Sequence, residues 1–163
     1  MQTLFRLSAV ALLASASLAQ AEAVRTEKNM SLELANQIAA AVVAACQANG
    51  YAVAAAVVDR GGSLRALQRA DNAGPHTLSS SQAKAFTSAS AKNTTTAMME
   101  GAQKNPAGAN LVYMPGFLLL GGGVPIKVGT EVIGAVGVGG APGGHLDEQC
   151  AMAALDKVKD LLK

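Results

Sequence analysis

The sequence predicts an α+β protein in which helices flank one antiparallel sheet of five strands. Two observations predict this class. Apolar residues recur at helical spacing near both ends of the domain, and short apolar runs typical of strands form two groups between them. Turns of only a few glycine-rich residues separate the runs within each group. Because parallel strands need a long crossover, such short turns predict antiparallel neighbours.

The first 21 residues have the pattern of a cleavable signal peptide. Arg6 gives a positive start, Leu7 to Leu18 is apolar, and Ala19-Gln20-Ala21 offers the small side chains that signal peptidase accepts. An uncleaved anchor is the alternative, but the apolar run is shorter than the roughly 20 residues that span a bilayer. We therefore expect a single domain over residues 22–163, periplasmic or secreted, without stable membrane insertion after cleavage.

The predicted elements follow from caps, periodicity and turns. Ser31 caps a first helix that ends at Asn49-Gly50, and a last helix begins after Gly144. Between them lie, in order, strands Ala52–Val58 and Ser63–Arg69, helices His76–Ala91 and Asn93–Lys104, and strands Phe117–Leu120, Val124–Val128 and Glu131–Val138. The order is α-ββ-αα-βββ-α, the layout of profilin-like and PAS/GAF-like domains. Those domains host binding, sensing and scaffolding, so the layout alone assigns no function.

Composition and motifs exclude several function classes. The chain has 13 basic and 11 acidic residues, 3% aromatic residues and no Trp. A basic stripe and aromatic stacking platforms are both missing, so nucleic acid is not an expected partner. The sequence contains no G-x-S-x-G, HExxH or Walker motif. No complete set of catalytic residues is recognisable, which leaves enzymatic activity open and not favoured.

Several motifs together resemble a known family. They are the stretches 69–77 (RADNAGPHT), 81–89 (SQAKAFTSA), 121–126 (GGGVPI) and 133–140 (IGAVGVGG). In this order and spacing they resemble the GlcG/HbpS family, which is related to the C-terminal domain of PduO, and the likeness extends over residues 31–163. Ser88 departs from the family pattern, where Ala is frequent, as does the strand end Leu67-Gln68-Arg69.

The resemblance implies a small protein that forms homo-oligomers, with some members binding haem and others proposed to degrade it or to sense redox state. We therefore expect an exported haem-binding protein that acts in haem or iron handling or in redox sensing. The alternatives are an oligomeric structural or small-metabolite sensing module without haem, and an enzyme that processes haem or a corrinoid. Any haem is expected to be non-covalent, because the sequence has no C-x-x-C-H attachment motif.

The polar residues of the family signature are candidates for ligand binding. Arg69 and Lys84 can bind a carboxylate or the haem propionates, with Asp71 orienting them. The alternative is an ion pair between the strand end and the following helix. We expect Arg69, His76 and Lys84 to lie at the rim of one cavity, built by the segment that links the second strand to the next helix.

Four residues are candidate iron ligands. His76, at a predicted helix start, is the first candidate, and His145 is a weaker candidate or a helix cap. Met98, beside Met99, offers a thioether or simply fills the core. Tyr113 offers a phenolate or covers the mouth of the pocket.

The two cysteines lie on the first and last helices. If these helices pack antiparallel on one sheet face, Cys46 and Cys150 meet in a disulfide. The alternative is two separate buried thiols.

Overall fold

A computed structural model describes residues 23–163, so the predicted signal peptide lies outside the described range. The helices are α1 (Leu32–Ala48), α2 (His76–Ala91), α3 (Thr95–Lys104), α4 (Pro106–Ala109) and α5 (Gly144–Lys157), with short 3-10 turns at Asn110–Tyr113 and Lys159–Leu161. The strands are β1 (Ala54–Asp59), β2 (Leu64–Arg69), β3 (Gly123–Val128) and β4 (Glu131–Gly139). None of the described helices combines the length and the apolar character needed to cross a bilayer.

The described sheet is antiparallel, as predicted, but it has four strands in the order β2-β1-β4-β3. The prediction of a fifth strand at Phe117–Leu120 was wrong, and so was the predicted element order. This apolar segment runs outside the sheet, and its backbone bonds to threonine side chains of neighbouring helices. The Leu118 N–H donates to Thr87 Oγ1 at 2.8 Å, and Thr95 Oγ1 donates to the Leu120 carbonyl at 2.8 Å. These side chains replace a strand partner, since buried backbone groups need partners of some kind.

Local chemistry explains the first elements. Ser31 caps α1 by accepting a hydrogen bond from the Leu34 N–H at 3.1 Å. The turn between β1 and β2 is held by Asp59, whose carboxylate accepts from the N–H groups of Gly61 and Ser63 at 2.9 and 3.0 Å. Both predictions, the cap and the hairpin, are confirmed.

The sheet separates two layers of helices. One face packs against α1 and α5 and supplies most of the core, with Val57, Ile126 and Val136 fully buried there. Because strand side chains alternate, Ala56, Val58 and Ala135 point to the opposite face, where they pack against α2. Cys46 of α1 and Cys150 of α5 form a disulfide, with their Cα atoms 5.3 Å apart. Of the two alternatives that the sequence left open, a disulfide or two separate buried thiols, the structure contains the disulfide.

Helix α2 lies unusually close to the sheet. An ideal Cβ on Gly137 of β4 would stand 2.0 Å from the Ser81 carbonyl oxygen and 2.5 Å from the Ala85 nitrogen. Only a residue without a side chain fits there, which explains the small residues on this part of β4. The side chains on the buried face of α2 are correspondingly small and polar, and Thr77, Ser81 and Ser88 are fully buried.

One buried ion pair connects the layers. Lys84 of α2 and Asp147 of α5 are each 2% exposed, and Lys84 Nζ lies 2.8 Å from Asp147 Oδ2. Lys84 Nζ also donates to the Val138 carbonyl at 2.8 Å. Burial raises the pKa of Asp147, against the opposing influence of Lys84 and of the Ala141 N–H.

The close approach of α2 predicts that Gly137→Ala lowers the free energy of unfolding by about 1–3 kcal/mol, because the added methyl group forces the backbones apart. Gly101→Ala is the control: Gly101 lies in α3 with no atom within 4 Å of an added Cβ. This control should gain about 0.5–1 kcal/mol through helix propensity. Urea unfolding of both variants measures the two effects, and equal stability of Gly137→Ala and wild type would contradict the packing argument.

The disulfide closes a sequence separation of 104 residues. We expect the double variant Cys46→Ala/Cys150→Ala to lose about 2–5 kcal/mol of unfolding free energy, mainly because the unfolded chain is no longer constrained. Denaturant unfolding with and without a reductant tests this. The reductant should destabilise the wild type and leave the double variant unchanged.

The ion pair predicts a pH-dependent effect. At neutral pH, Lys84→Met should cost about 3–5 kcal/mol, because it leaves a buried carboxylate without its cation. In this variant the pKa of Asp147 rises further, so the folded state prefers the protonated carboxyl. The stability that the protonated carboxyl contributes is fully present below the pKa that Asp147 has in the unfolded chain. It is lost as pH rises through the pKa that Asp147 has in the folded variant. The cost should therefore shrink near about pH 4. An equal cost at both pH values in urea unfolding would argue against an ionised pair.

Candidate functional site

The predicted cavity rim does not form. Lys84 lies on the inner face of α2 and is buried with Asp147, so its ammonium faces the interior rather than a ligand. Its partner is on α5 and not at the strand end. Lys84 is therefore neither a ligand-binding cation nor part of an ion pair between the end of β2 and α2, the two interpretations made from the sequence. Arg69, Asp71 and His76 are exposed around the end of β2 and the start of α2. The structure thus separates Lys84 from the residues with which the sequence grouped it.

The buried pair instead fixes the start of α5. Asp147 Oδ1 accepts a hydrogen bond from the Ala141 N–H at 3.0 Å while Oδ2 binds Lys84. Lys84 in turn holds the Val138 carbonyl at the end of β4. The connection from β4 to α5 is therefore tied at both ends to a single ammonium and carboxylate. The backbone of the first turn of α5 is therefore held in place, and this determines where the side chains of that turn begin.

His145 is one of those side chains. It lines a cleft of about 300 Å³ between α3 and α5, which we call the His145 cleft and which is lined by Thr96, His145, Glu148, Gln149 and Met152. His145 and Glu148 are three residues apart on α5 and therefore share one helix face. The Thr96 hydroxyl donates to the Glu148 carboxylate across the cleft. The cleft thus presents an exposed imidazole beside an oriented carboxylate.

Glycine positions each of the two histidine rings. An ideal Cβ on Gly143 would stand 2.8 Å from His145 Cε1, and one on Gly74 would stand 2.7 Å from His76 Cε1. Each imidazole therefore folds back over the glycine two residues before it, at the start of a helix. The two histidines share this geometry, but of the two only His145 lines one of the cavities described here.

An apolar groove borders α3, the helix that also forms one side of the His145 cleft. It has a volume of about 350 Å³, and we call it the apolar groove; it is lined by Met99, Ala102, Gln103, Ala109, Val112 and Leu119. Thr96 of the cleft and Met99 of the groove are one turn apart on α3, so both hollows border this helix. Met99 lines the groove, whereas Met98, the residue favoured from the sequence, does not.

Large apolar side chains are exposed around these two hollows. Tyr113 is 81% exposed, and it follows Val112 of the groove directly. The others are Val112, Met114, Leu120 and Met152, each between 45% and 55% exposed. Such a concentration of exposed apolar surface is typical of a ligand-binding or protein-binding region.

A third hollow, of about 380 Å³, lies between the β1–β2 hairpin and α2 and is lined by Val58, Gly62, Leu64, Gln82, Ala83, Phe86, Pro115 and Gly116. None of its lining residues is a His, Met, Tyr or Cys. It therefore offers no side chain that could hold an iron atom.

Sequence reasoning missed Thr96, Glu148 and Met152 as members of a site. The spacing of His145, Glu148 and Met152 at i, i+3 and i+7 was a signal that these side chains share one face of α5. Thr96 had no such signal, because its place in the cleft depends on how α3 packs beside α5. The sequence also gave no sign that Asp147 is the buried partner of Lys84.

Three comparisons with known proteins agree with this architecture. The chain is 39% identical to protein GlcG of Escherichia coli K12 over 109 residues, which is 64% of this chain and 80% of GlcG. It superposes on the crystal structure of a double mutant of Streptomyces reticuli HbpS with a TM-score of 0.77 and 35% identity, covering 93% of this chain and 99% of HbpS. A crystal structure of a PduOC:heme complex shares the fold, with a TM-score of 0.71, 22% identity and coverage of 78% and 94%.

The family profile described as "Haem degrading protein HbpS-like" matches residues 30–156. This range begins just before α1 and ends within the last turn of α5, so it includes every strand and both layers of helices. The sequence motifs, the matched profile and the structural likeness to HbpS agree, and the chain therefore belongs to the HbpS-like family, as its sequence motifs predicted.

Proposed function

We propose that this protein binds haem non-covalently, and that it does so along α3, between the His145 cleft and the apolar groove. The observation that carries the proposal is that one helix, α3, borders both a hollow with an exposed imidazole and an apolar hollow. A macrocycle needs apolar surface for its faces and one strong ligand for its iron, and the imidazole is a frequent axial ligand. The family's description as haem-degrading and the solved haem complex of a protein with this fold support it.

The residues fit haem in size and chemistry. The two hollows hold about 300 and 350 Å³, within the range of about 300–1,000 Å³ that is usual for ligand sites. Met99, Val112 and Leu119 offer apolar contact, and His145 offers its imidazole. Tyr113, beside the groove, is placed to cover the bound ligand at its mouth.

Charge at the end of the groove suits the propionates. Lys104 ends α3 next to Gln103, a groove residue, and its side chain is 77% exposed. Its only described partner is the exposed Glu100, at 3.6 Å, a contact that an incoming carboxylate can replace at little cost. We assign the propionate-binding role to Lys104 instead of Lys84, which is buried.

Haem bound here would supply redox or degradative chemistry at its iron. The chain itself binds the macrocycle, orients it through His145 and limits access of water from the α3 side. The open sides of both hollows suit coverage by a second subunit, so we propose a homo-oligomer. Export to the periplasm or the outside, and a role in haem or iron handling or in redox sensing, complete the proposed function.

Titration of haemin into the untagged protein tests this proposal. We expect a shifted Soret band at saturation and a weakening of affinity by at least about tenfold in His145→Ala. His76→Ala is the matched control, because its ring has the same geometry over a glycine but lies outside the cleft.

Loss of binding in His76→Ala alone would move the iron ligand to the start of α2. No spectral shift in the wild type would reject haem binding and favour a haem-free oligomeric or small-metabolite module.

A further inference from the structure

The His145 cleft contains two side chains that metal ions use, three residues apart on one helix. An imidazole and a carboxylate three residues apart on α5 project from the same face. Both line the same hollow of about 300 Å³, so an ion can reach them from solvent. This arrangement needs no haem and uses Glu148, a residue to which haem binding assigns no role.

The carboxylate is held in place by a neighbouring element. The Thr96 hydroxyl of α3 donates to one oxygen of Glu148, which leaves the other oxygen available to the cleft. Hydrogen bonds of this kind orient metal-ligating carboxylates and are a regular part of metal sites. The imidazole is held as well, since its ring rests over Gly143 and its helix turn is fixed by the Asp147–Lys84 pair.

Among the side chains that line the cleft, the Glu148 carboxylate supplies the negative charge that a cation needs. Asp147, the other carboxylate on the first turn of α5, is neutralised by Lys84 in the interior. Glu148 is therefore the carboxylate of that turn that is available to an ion in the cleft, and none of the cleft-lining residues is Lys or Arg.

We propose that His145 and Glu148 bind a divalent transition-metal ion of the Zn²⁺ class, with Thr96 orienting the carboxylate. An imidazole paired with a carboxylate suits Zn²⁺ and its neighbours in the first row rather than Ca²⁺ or Mg²⁺, which prefer all-oxygen sites. Among residues 23–163 no group of three His, Cys, Asp or Glu side chains lies together for a metal. The ion therefore keeps coordination positions open to water or to a small ligand.

The metal and haem share His145, so one excludes the other at this position. The metal proposal does not require haem binding, because Glu148 has a role in the metal site and none in the proposed haem site. Glu148→Gln removes the anionic metal ligand but keeps an acceptor for Thr96 and leaves His145 and the apolar groove intact.

Isothermal titration of ZnCl₂ into protein that carries no histidine tag tests the site. We expect one ion per chain and a weakening of affinity by at least about tenfold in both His145→Ala and Glu148→Gln. His76→Ala should bind Zn²⁺ like the wild type. Thermal unfolding of each variant without metal shows whether the fold is intact.

Retained Zn²⁺ affinity in Glu148→Gln, loss of affinity in His76→Ala, or no saturable binding by folded wild type would each overturn the proposal. Haemin titration of Glu148→Gln keeps the two hypotheses apart. If haem binds this variant normally while Zn²⁺ does not, the metal site is supported. If neither ligand binds the wild type, both proposals fail, whereas Zn²⁺ binding without a Soret shift rejects haem alone.

Discussion

The buried ion pair of Lys84 and Asp147 is the interaction on which the candidate site depends. It joins α2 on one side of the sheet to α5 on the other, and it does so at the point where β4 ends. Two ions removed from water are stable only when their remaining hydrogen-bonding groups have partners, and here Val138 and Ala141 supply them. The loop before α5 and the first turn of that helix are therefore fixed, and His145 is positioned by a residue that never touches the cleft.

The rest of the fold gives this helix a rigid base. The disulfide ties the middle of α5 to α1, while the tight contact of α2 with Gly137 holds the opposite layer close enough for Lys84 to reach across. By contrast, the stretch from α4 to Leu120 is mostly exposed and carries many of the exposed large apolar side chains. The helix that bears the imidazole is therefore firmly anchored, whereas the stretch from α4 to Leu120 has few buried contacts and is expected to be among the less stable parts of the fold.

The sequence predicted the four long helices and the two hairpins because their signals are local. Ser31 before α1, Gly50 after it and Asp59 in the first hairpin act on their immediate neighbours, and periodicity identified the buried face of α1. It failed at Phe117–Leu120, because an apolar run does not reveal whether its backbone will find a strand or, as here, the hydroxyls of Thr87 and Thr95. It also failed for Lys84, since a lysine in a family motif looks like a ligand-binding cation until its buried carboxylate partner is known.

The sequence by itself determined the α+β class, the antiparallel pairing and the family, since each rests on short-range spacing or on motifs read in order. It also limited the imidazoles to His76 and His145. Only the tertiary structure decided which of them lies in a cleft, that Cys46 and Cys150 are bonded, and that the lysine of the motif, Lys84, faces inward. These outcomes depend on contacts between residues 54, 63 and 104 positions apart, and no local pattern encodes such contacts.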